Sequence, residues 1–257
     1  MWGAIIGDII GSVFEANPVK TTEFDLFTLN STITDDTVMT VAVAEALING
    51  SDFVSSFQKW GRRYPNAGYG GNFINWLFEN DPKPYNSWGN GAAMRVSPVG
   101  WLAHNEVELL NLARRSAEVS HNHPEGIKGA KAVAMAIFDA RRGLAKNDIK
   151  IHLQQLLGYD FDRSLDKIRA DYHFDVSCQG SVPEAIIAFL ESENFESAIR
   201  NAISLGGDAD TQACIAGAIA EAYYGKIPEQ IIDLAEERLP SDILSVCEMF
   251  YDKLRIS

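Results

Sequence analysis

Cysteine is scarce in this chain: Cys178, Cys214 and Cys247 are the only three in 257 residues, an odd number with no C-x-x-C pair. That excludes a disulfide framework, argues against a zinc ribbon, and fits a reducing, cytoplasmic setting. Basic residues are also few, 22 against 35 acidic ones, for a net charge of −13. They are scattered, with no polybasic run, so the basic face that grips nucleic-acid backbone is missing and nucleic acid is not the expected partner. No apolar run reaches the roughly 18 residues that a membrane span needs. The opening stretch from Met1 to Asp8 has no basic flank, and Asp8 interrupts its apolar character, so no signal peptide is expected. Alternating strand patterns are almost absent, as are repeats, low-complexity tracts and any linker long enough to separate a pair of domains.

What remains is ordinary globular composition, 46% hydrophobic and 22% charged, which excludes a disordered chain, a collagen and a coiled-coil rod. Helical spacing recurs in Ile5, Ile6, Ile9, Ile10 and Val13, in Val41, Ala44, Leu47 and Ile48, and in Val107, Leu109, Leu110, Leu112 and Ala113. Segments 129–140, 185–191 and 213–222 are rich in helix formers. Helix starts are marked by Ser51-Asp52, Pro124-Glu125, Asn147-Asp148, Pro183-Glu184, Pro228-Glu229 and Ser241-Asp242. The expectation is one compact all-α domain over residues 1–257, with about ten to twelve helices. Segment 64–100, rich in Gly, Asn, Pro and Tyr, stands apart as a long structured loop of the kind that is often functional. Gly3, Gly7 and Gly11 recur every fourth residue and read as a stripe for close helix packing.

Two acidic clusters carry the chemistry. Thr34-Asp35-Asp36-Thr37 precedes one helical segment, and Gly206-Gly207-Asp208-Ala209-Asp210-Thr211 precedes another. Each could be a helix cap, because Thr and Asp satisfy orphan N–H groups and suit the positive end of the dipole. A cap needs one oxygen, however, and each cluster offers two carboxylates and at least one hydroxyl. Asp35, Asp36, Asp208 and Asp210 together bear a formal charge of −4, which two divalent cations balance. Carboxylate and hydroxyl oxygens are the ligands of hard ions such as Mg²⁺ or Mn²⁺. An EF-hand loop opening at Asp208 fails, because its sixth and twelfth positions hold Ala213 and Ile219 rather than Gly and Glu.

Other residues have two readings. Glu15 is either a surface carboxylate or, if the first helix persists, one of a face shared with Asp8 and Ser12. His121-x-His123 has no further Cys or His nearby, which disfavours zinc. Trp88 could be core, and Arg95 an ordinary buried ion-pair partner.

Taken in order, these segments resemble the ADP-ribosylglycohydrolase family, of the dinitrogenase-reductase-activating glycohydrolase type. The likeness runs through Gly3-Ala4-Ile5-Ile6-Gly7-Asp8-Ile9-Ile10-Gly11 to Phe14-Glu15, then both acidic clusters. It includes Gly68-Tyr69-Gly70-Gly71, Trp88-Gly89-Asn90-Gly91-Ala92-Ala93-Met94-Arg95 and His121-Asn122-His123-Pro124-Glu125-Gly126-Ile127. The resemblance implies a multi-helix orthogonal bundle and a binuclear Mg²⁺ or Mn²⁺ site. Its metal ligands would be Thr34, Asp35, Asp36, Asp208, Asp210 and Thr211. It further implies Glu15 beside the scissile bond, Gly70 and Gly71 around a pyrophosphate, Ser87, Trp88 and Asn90 along the ribose and phosphates, and His121 at the nucleoside end. The implied activity is cleavage of the N- or O-glycosidic bond between ADP-ribose and a protein side chain or small acceptor. A non-catalytic ADP-ribose-binding or structural protein on the same fold and a metal-dependent nucleotide phosphohydrolase are the alternatives.

Overall fold

The computed structural model describes residues 1–256, and among these there is no strand, only an isolated bridge between Gly89 and Ser177. Fifteen helices follow one another along the described residues. The first seven are α1 Trp2–Gly11, α2 Asp35–Asn49, α3 Phe53–Arg63, α4 Gly71–Phe78, α5 Gly91–Met94, α6 Ser97–Leu102 and α7 Glu106–Glu118. They are followed by α8 Pro124–Arg141, α9 Lys146–Leu157, α10 Leu165–Asp171, α11 Cys178–Leu190, α12 Phe195–Ile203, α13 Ala209–Tyr224, α14 Glu229–Glu236 and α15 Ser241–Ile256. The count exceeds the expected ten to twelve because segment 64–100 folds into short helices, α4, α5 and the start of α6, around irregular stretches.

The centre of the bundle is the pair α1 and α13, both buried along nearly their whole length. They run antiparallel: Gly3 faces Gly217, Gly7 faces Ala213, and Gly11 faces Ala209. The glycine stripe is required by this approach. A Cβ on Gly7 would lie 2.1 Å from the carbonyl oxygen of Ala213, and one on Gly3 equally close to that of Gly217. Glu221 on α13 anchors the far end by accepting a 2.8 Å bond from the Gly3 N–H. The other helices enclose this pair, α11, α12 and α8 against α13 and α2 beside α1, while α3 and α15 pack on α2.

The observed starts at Asp52, Pro124, Pro228 and Ser241 match the sequence markers, and α9 begins at Lys146, beside Asn147. Pro183 does not start a helix: Ser177 accepts a bond from the Gly180 N–H and opens α11 at Cys178, so Pro183 falls inside it. Helix α1 stops at Gly11, where Ser12 closes the last turn by bonding to Asp8 O, so it does not persist to Glu15. Segment 12–33 then crosses the surface without regular structure. Lys20 pins it by donating to the carbonyls of Tyr172 and Leu205, and Arg200 by donating to those of Thr22 and Phe24. All three cysteines are free and buried.

Gly7→Ala should be severe for so small a change. The added methyl collides with backbone rather than with a flexible side chain, so the cost should be at least about 1–3 kcal/mol, the usual range for overpacking. A lowered urea midpoint with an unchanged slope is the expected measurement.

Candidate metal and ligand site

The antiparallel register brings the C-terminal end of α1 against the N-terminus of α13, and α2 begins beside both. Asp8 on α1 reaches the start of α2. Its Oδ2 accepts the N–H groups of Thr34 and Thr37 at 2.9 and 3.0 Å, and its Oδ1 accepts the Thr34 hydroxyl at 2.7 Å. An anion at a helix N-terminus is favourable in its own right. Asp8, the one charged residue in an otherwise apolar helix, is absent from the ligands that the family resemblance implies; its position within the Gly3-Gly7-Gly11 stripe is the sequence signal for it.

Capping accounts for little of the acidic clusters. Thr34 is the cap of α2, accepting from the Asp36 N–H, and this leaves the Asp35 and Asp36 side chains free of that task. Asp208 occupies the cap position of α13 but makes no capping bond; it accepts instead from the Asn90 side-chain amide at 2.7 Å. The carboxylates converge on two sets, Asp8–Asp36–Asp210 and Glu15–Asp208–Asp210, each with ligand oxygens within 4.8 Å of one another. Asp210 belongs to both. Thr211 sits beside them, its hydroxyl 3.3 Å from Asp36 Oδ2. Asp35 lines the same cavity without joining either set, and Glu15, although beyond the helix and exposed, joins the second.

The electrostatics are those of a site lacking its counter-charge. Burial, then Asp210, pushes the Asp8 carboxyl up to about 7 against the lowering effect of its threonine donors. Burial and Asp210 likewise raise Asp35, Asp36 and Asp208 well above the usual carboxylate range, and raise Glu15 in the same order. Asp36 Oδ1 is buried with no hydrogen-bond partner among the described residues. Buried, mutually repelling carboxylates with an orphaned oxygen suit hard divalent cations, and the all-oxygen donor set fits Mg²⁺ or Mn²⁺ rather than zinc.

The acids other than Asp8 line a cavity of about 410 Å³, within the usual size range of small-molecule sites. Gly68, Gly70, Gly71 and Phe73 form one wall. Gly70 is the cap residue of α4, and a Cβ on it or on Gly71 would meet nothing within 4 Å, so protein packing does not require these glycines. Tyr85, Ser87, Gly89, Gly91, Arg95 and His121 also line the cavity. That loop lies tightly on α8: a Cβ on Gly126 would stand 2.8 Å from Ser87 O.

Most sequence candidates therefore meet in one place, with two adjustments. Trp88 is half exposed and does not line the cavity; its ring stands edge-on to His123. Asn90 lines the cavity but also spends its amide on holding Asp208. The two histidines of the H-x-H motif have different surroundings. His123 caps α8 through Nδ1, whereas His121 is buried against the cavity. Arg95 is fully buried and has no carboxylate partner among the described residues; it stacks over Phe57 and Phe73, 4.4 and 5.6 Å from the ring centroids.

Comparison with known proteins agrees with this geometry. A family model described as ADP-ribosylglycohydrolase matches residues 1–255. The chain is 27% identical to "ADP-ribosylhydrolase ARH3" of Gallus gallus, over 99% of this chain and 89% of that one. It is 29% identical to the Homo sapiens protein of the same name, over 95% and 90%. Similarity to the "ADP-ribosyl-[dinitrogen reductase] glycohydrolase" of Rhodospirillum rubrum is 25%, over 75% and 69%. A solved structure titled "ADP-ribosylglycohydrolase-related protein complex" superposes with a TM-score of 0.76 at 26% identity, covering 98% of this chain and 95% of that one.

If the carboxylates await cations, Mg²⁺ or Mn²⁺ should stabilise the fold. At a hundredfold excess over Kd, one site contributes about 2.7 kcal/mol by mass action, or about 5–10 °C in Tm for a chain of this size. Asp210→Asn, which removes the charge common to both sets, should raise the metal-free Tm and shrink the metal-induced rise. Thermal melts with and without chelator read both changes.

Proposed function

The chain belongs to the ADP-ribosylglycohydrolase family and is a glycosylhydrolase of that kind, and from that premise we propose that it hydrolyses the N- or O-glycosidic bond joining ADP-ribose to an acceptor side chain or small conjugate. The observation that carries this is the mixed lining of one cavity. Carboxylates that share Asp210 line it together with Gly70, Gly71 and the buried Arg95 and His121. A ligand that joins a hydroxyl-rich sugar to a diphosphate matches that lining.

Two divalent cations, Mg²⁺ or Mn²⁺, would be held by Asp8, Asp36, Asp208 and Asp210 with Thr34, Asp35 and Thr211 around them, Asp210 serving both. When bound, such ions neutralise the acids and orient sugar hydroxyls and water. The remaining work falls to the chain. Gly70 and Gly71, at the open N-terminus of α4, offer backbone N–H groups to phosphate oxygens, where a helix N-terminus favours an anion. Asn90 keeps Asp208 in register through its amide. The C1–N or C1–O bond of the distal ribose breaks through an oxocarbenium-like state that neighbouring carboxylates stabilise. Water oxygen bonds to C1 as the C1–N or C1–O bond breaks, the water proton passes to the Glu15 carboxylate, and Glu15 hands that proton on to the leaving atom as the acceptor departs. Glu15 suits this exchange because it is the exposed member of its set and burial beside Asp210 raises its proton affinity. Three buried free cysteines suit action in a reducing, cytoplasmic compartment. No described helix is long and apolar enough to cross a membrane.

Glu15→Gln keeps the shape and removes the titrating oxygen. Turnover should fall at least about a hundredfold, while the metal-induced rise in Tm changes little; loss of that rise would make Glu15 a metal ligand instead. The assay is release of free ADP-ribose from a panel of Arg-, Ser-, Glu- and nucleobase-linked substrates, and AMP or phosphate as product would overturn the glycosidase reading. By calorimetry with metal present, ADP-ribose should bind more tightly than AMP or ribose 5-phosphate, because it alone joins the distal sugar to a diphosphate.

A further inference from the structure

Arg95 is a buried cation, on which the Asp35 charge acts only from beyond ion-pair distance. The residue is 1% exposed, its guanidinium rests on Phe57 and Phe73, and it forms no ion pair among the described residues. Its Nη2 donates to Ser116 O at 2.8 Å and to Ser120 Oγ at 3.0 Å. Ser120 Oγ lies 2.8 Å from Nδ1 of His121, the next residue. Ser116 belongs to α7, and Ser120 and His121 follow that helix at the base of the cavity wall.

The donor inventory fixes the direction of this chain. A guanidinium has only donors, so the hydroxyl oxygen of Ser120 accepts from Arg95. The hydroxyl then has one hydrogen to give, and its only neighbouring acceptor among the described residues is Nδ1 of His121. Nδ1 therefore accepts, and the proton of the ring resides on Nε2. That nitrogen faces the cavity, 3.2 Å from where a Cβ on Gly91 would stand and 3.4 Å from one on Gly89. The ring cannot readily turn away, for Phe73 and Tyr85 lean on it with centroids 6.1 and 5.7 Å distant. Its position between two glycines leaves Nε2 open to a ligand rather than to a side chain.

We propose that Arg95 and Ser120 are positioning residues that hold His121 as the neutral imidazole with its proton on Nε2, so that a fixed hydrogen-bond donor faces the ligand cavity. The second ring nitrogen decides which tautomer a histidine presents, and here the decision comes from a buried cation through one hydroxyl. Burial and the Arg95 charge also hold His121 well below its usual protonation range, which agrees with a neutral ring. The group received by Nε2–H is an acceptor oxygen or ring nitrogen of the ligand. Its assignment to ADP-ribose rests on the function proposed above, whereas the relay itself does not.

The test is chosen to keep the two apart. Long-range ¹H–¹⁵N correlation spectra of the ligand-free, ¹⁵N-labelled protein distinguish the tautomers, and His121→Gln assigns the resonance. Wild type should show a pyridine-like Nδ1 and a protonated Nε2 at neutral pH. Ser120→Ala should shift the ring toward the other tautomer or a mixture. Ser116→Ala, one turn earlier and equally buried, leaves the carbonyl that Arg95 uses in place and should not shift it. Ser120→Ala should also weaken ADP-ribose binding by about tenfold, the worth of one ligand hydrogen bond. A wild-type proton on Nδ1, an unchanged tautomer in Ser120→Ala, or an equal shift in Ser116→Ala would each overturn the relay. The wild-type spectrum alone decides the first point, even if a variant fails to fold. If ADP-ribose bound neither wild type nor variant, the functional reading would fall and the spectra would still judge the relay.

Discussion

Everything at the candidate site depends on how closely α1 and α13 approach. Three glycines spaced by four residues let one backbone lie against another, and the antiparallel register carries Asp8 to the N-terminus of α13. A Cβ on any of those glycines would stand 2.1–2.5 Å from a backbone oxygen of α13, so the helices would have to part. The stripe looks like a packing device and is one, but its consequence is chemical. It sets the distance between Asp8, Asp36 and Asp210.

A second constraint follows from the charges thus assembled. Six carboxylates, Asp8, Glu15, Asp35, Asp36, Asp208 and Asp210, gather at the cavity, all but Asp8 lining it, and none of them forms an ion pair among the described residues. Burial and then the Asp210 charge raise Asp8, Glu15, Asp35, Asp36 and Asp208, so the folded chain carries an unfavourable electrostatic term that packing elsewhere offsets. Proteins tolerate such a cost at sites where a ligand relieves it. The hydrogen bonds from Thr34, Thr37 and Asn90 hold individual oxygens in place without neutralising them. Rigid acids without an ion-pair partner among the described residues could hold a cation.

The cation that lines the same cavity is handled on the opposite principle. The charge on Arg95 is sunk among aromatic rings and expressed through a hydroxyl and an imidazole. The glycines at positions 70, 71, 89 and 91 leave room in the lining. One cavity thus presents buried acids suited to cations and neutral donors under the influence of a buried cation.

Helical periodicity and the want of alternating patterns are enough to specify an all-α chain, because a buried stripe at 3.6-residue spacing fits no strand. The paired Asp residues before Val38 and before Ala213 announce a site, because a cap needs a single oxygen. Other features are legible only once the chain is folded. Asp8 and Glu15 can be singled out in the sequence, but which acids they join is set by contacts with residues far along the chain. Pro183 reads as a helix start because proline favours a first turn, yet Ser177 opens that helix earlier. Trp88 reads as a lining residue, but its backbone pairs with Cys178 and leaves the ring at the surface. Arg95 reads as half of an ion pair; the fold surrounds it with rings and two serines instead. The physical reason is common to all of these. A residue's type and neighbours set what it can do, whereas packing decides which partner stands within hydrogen-bond reach.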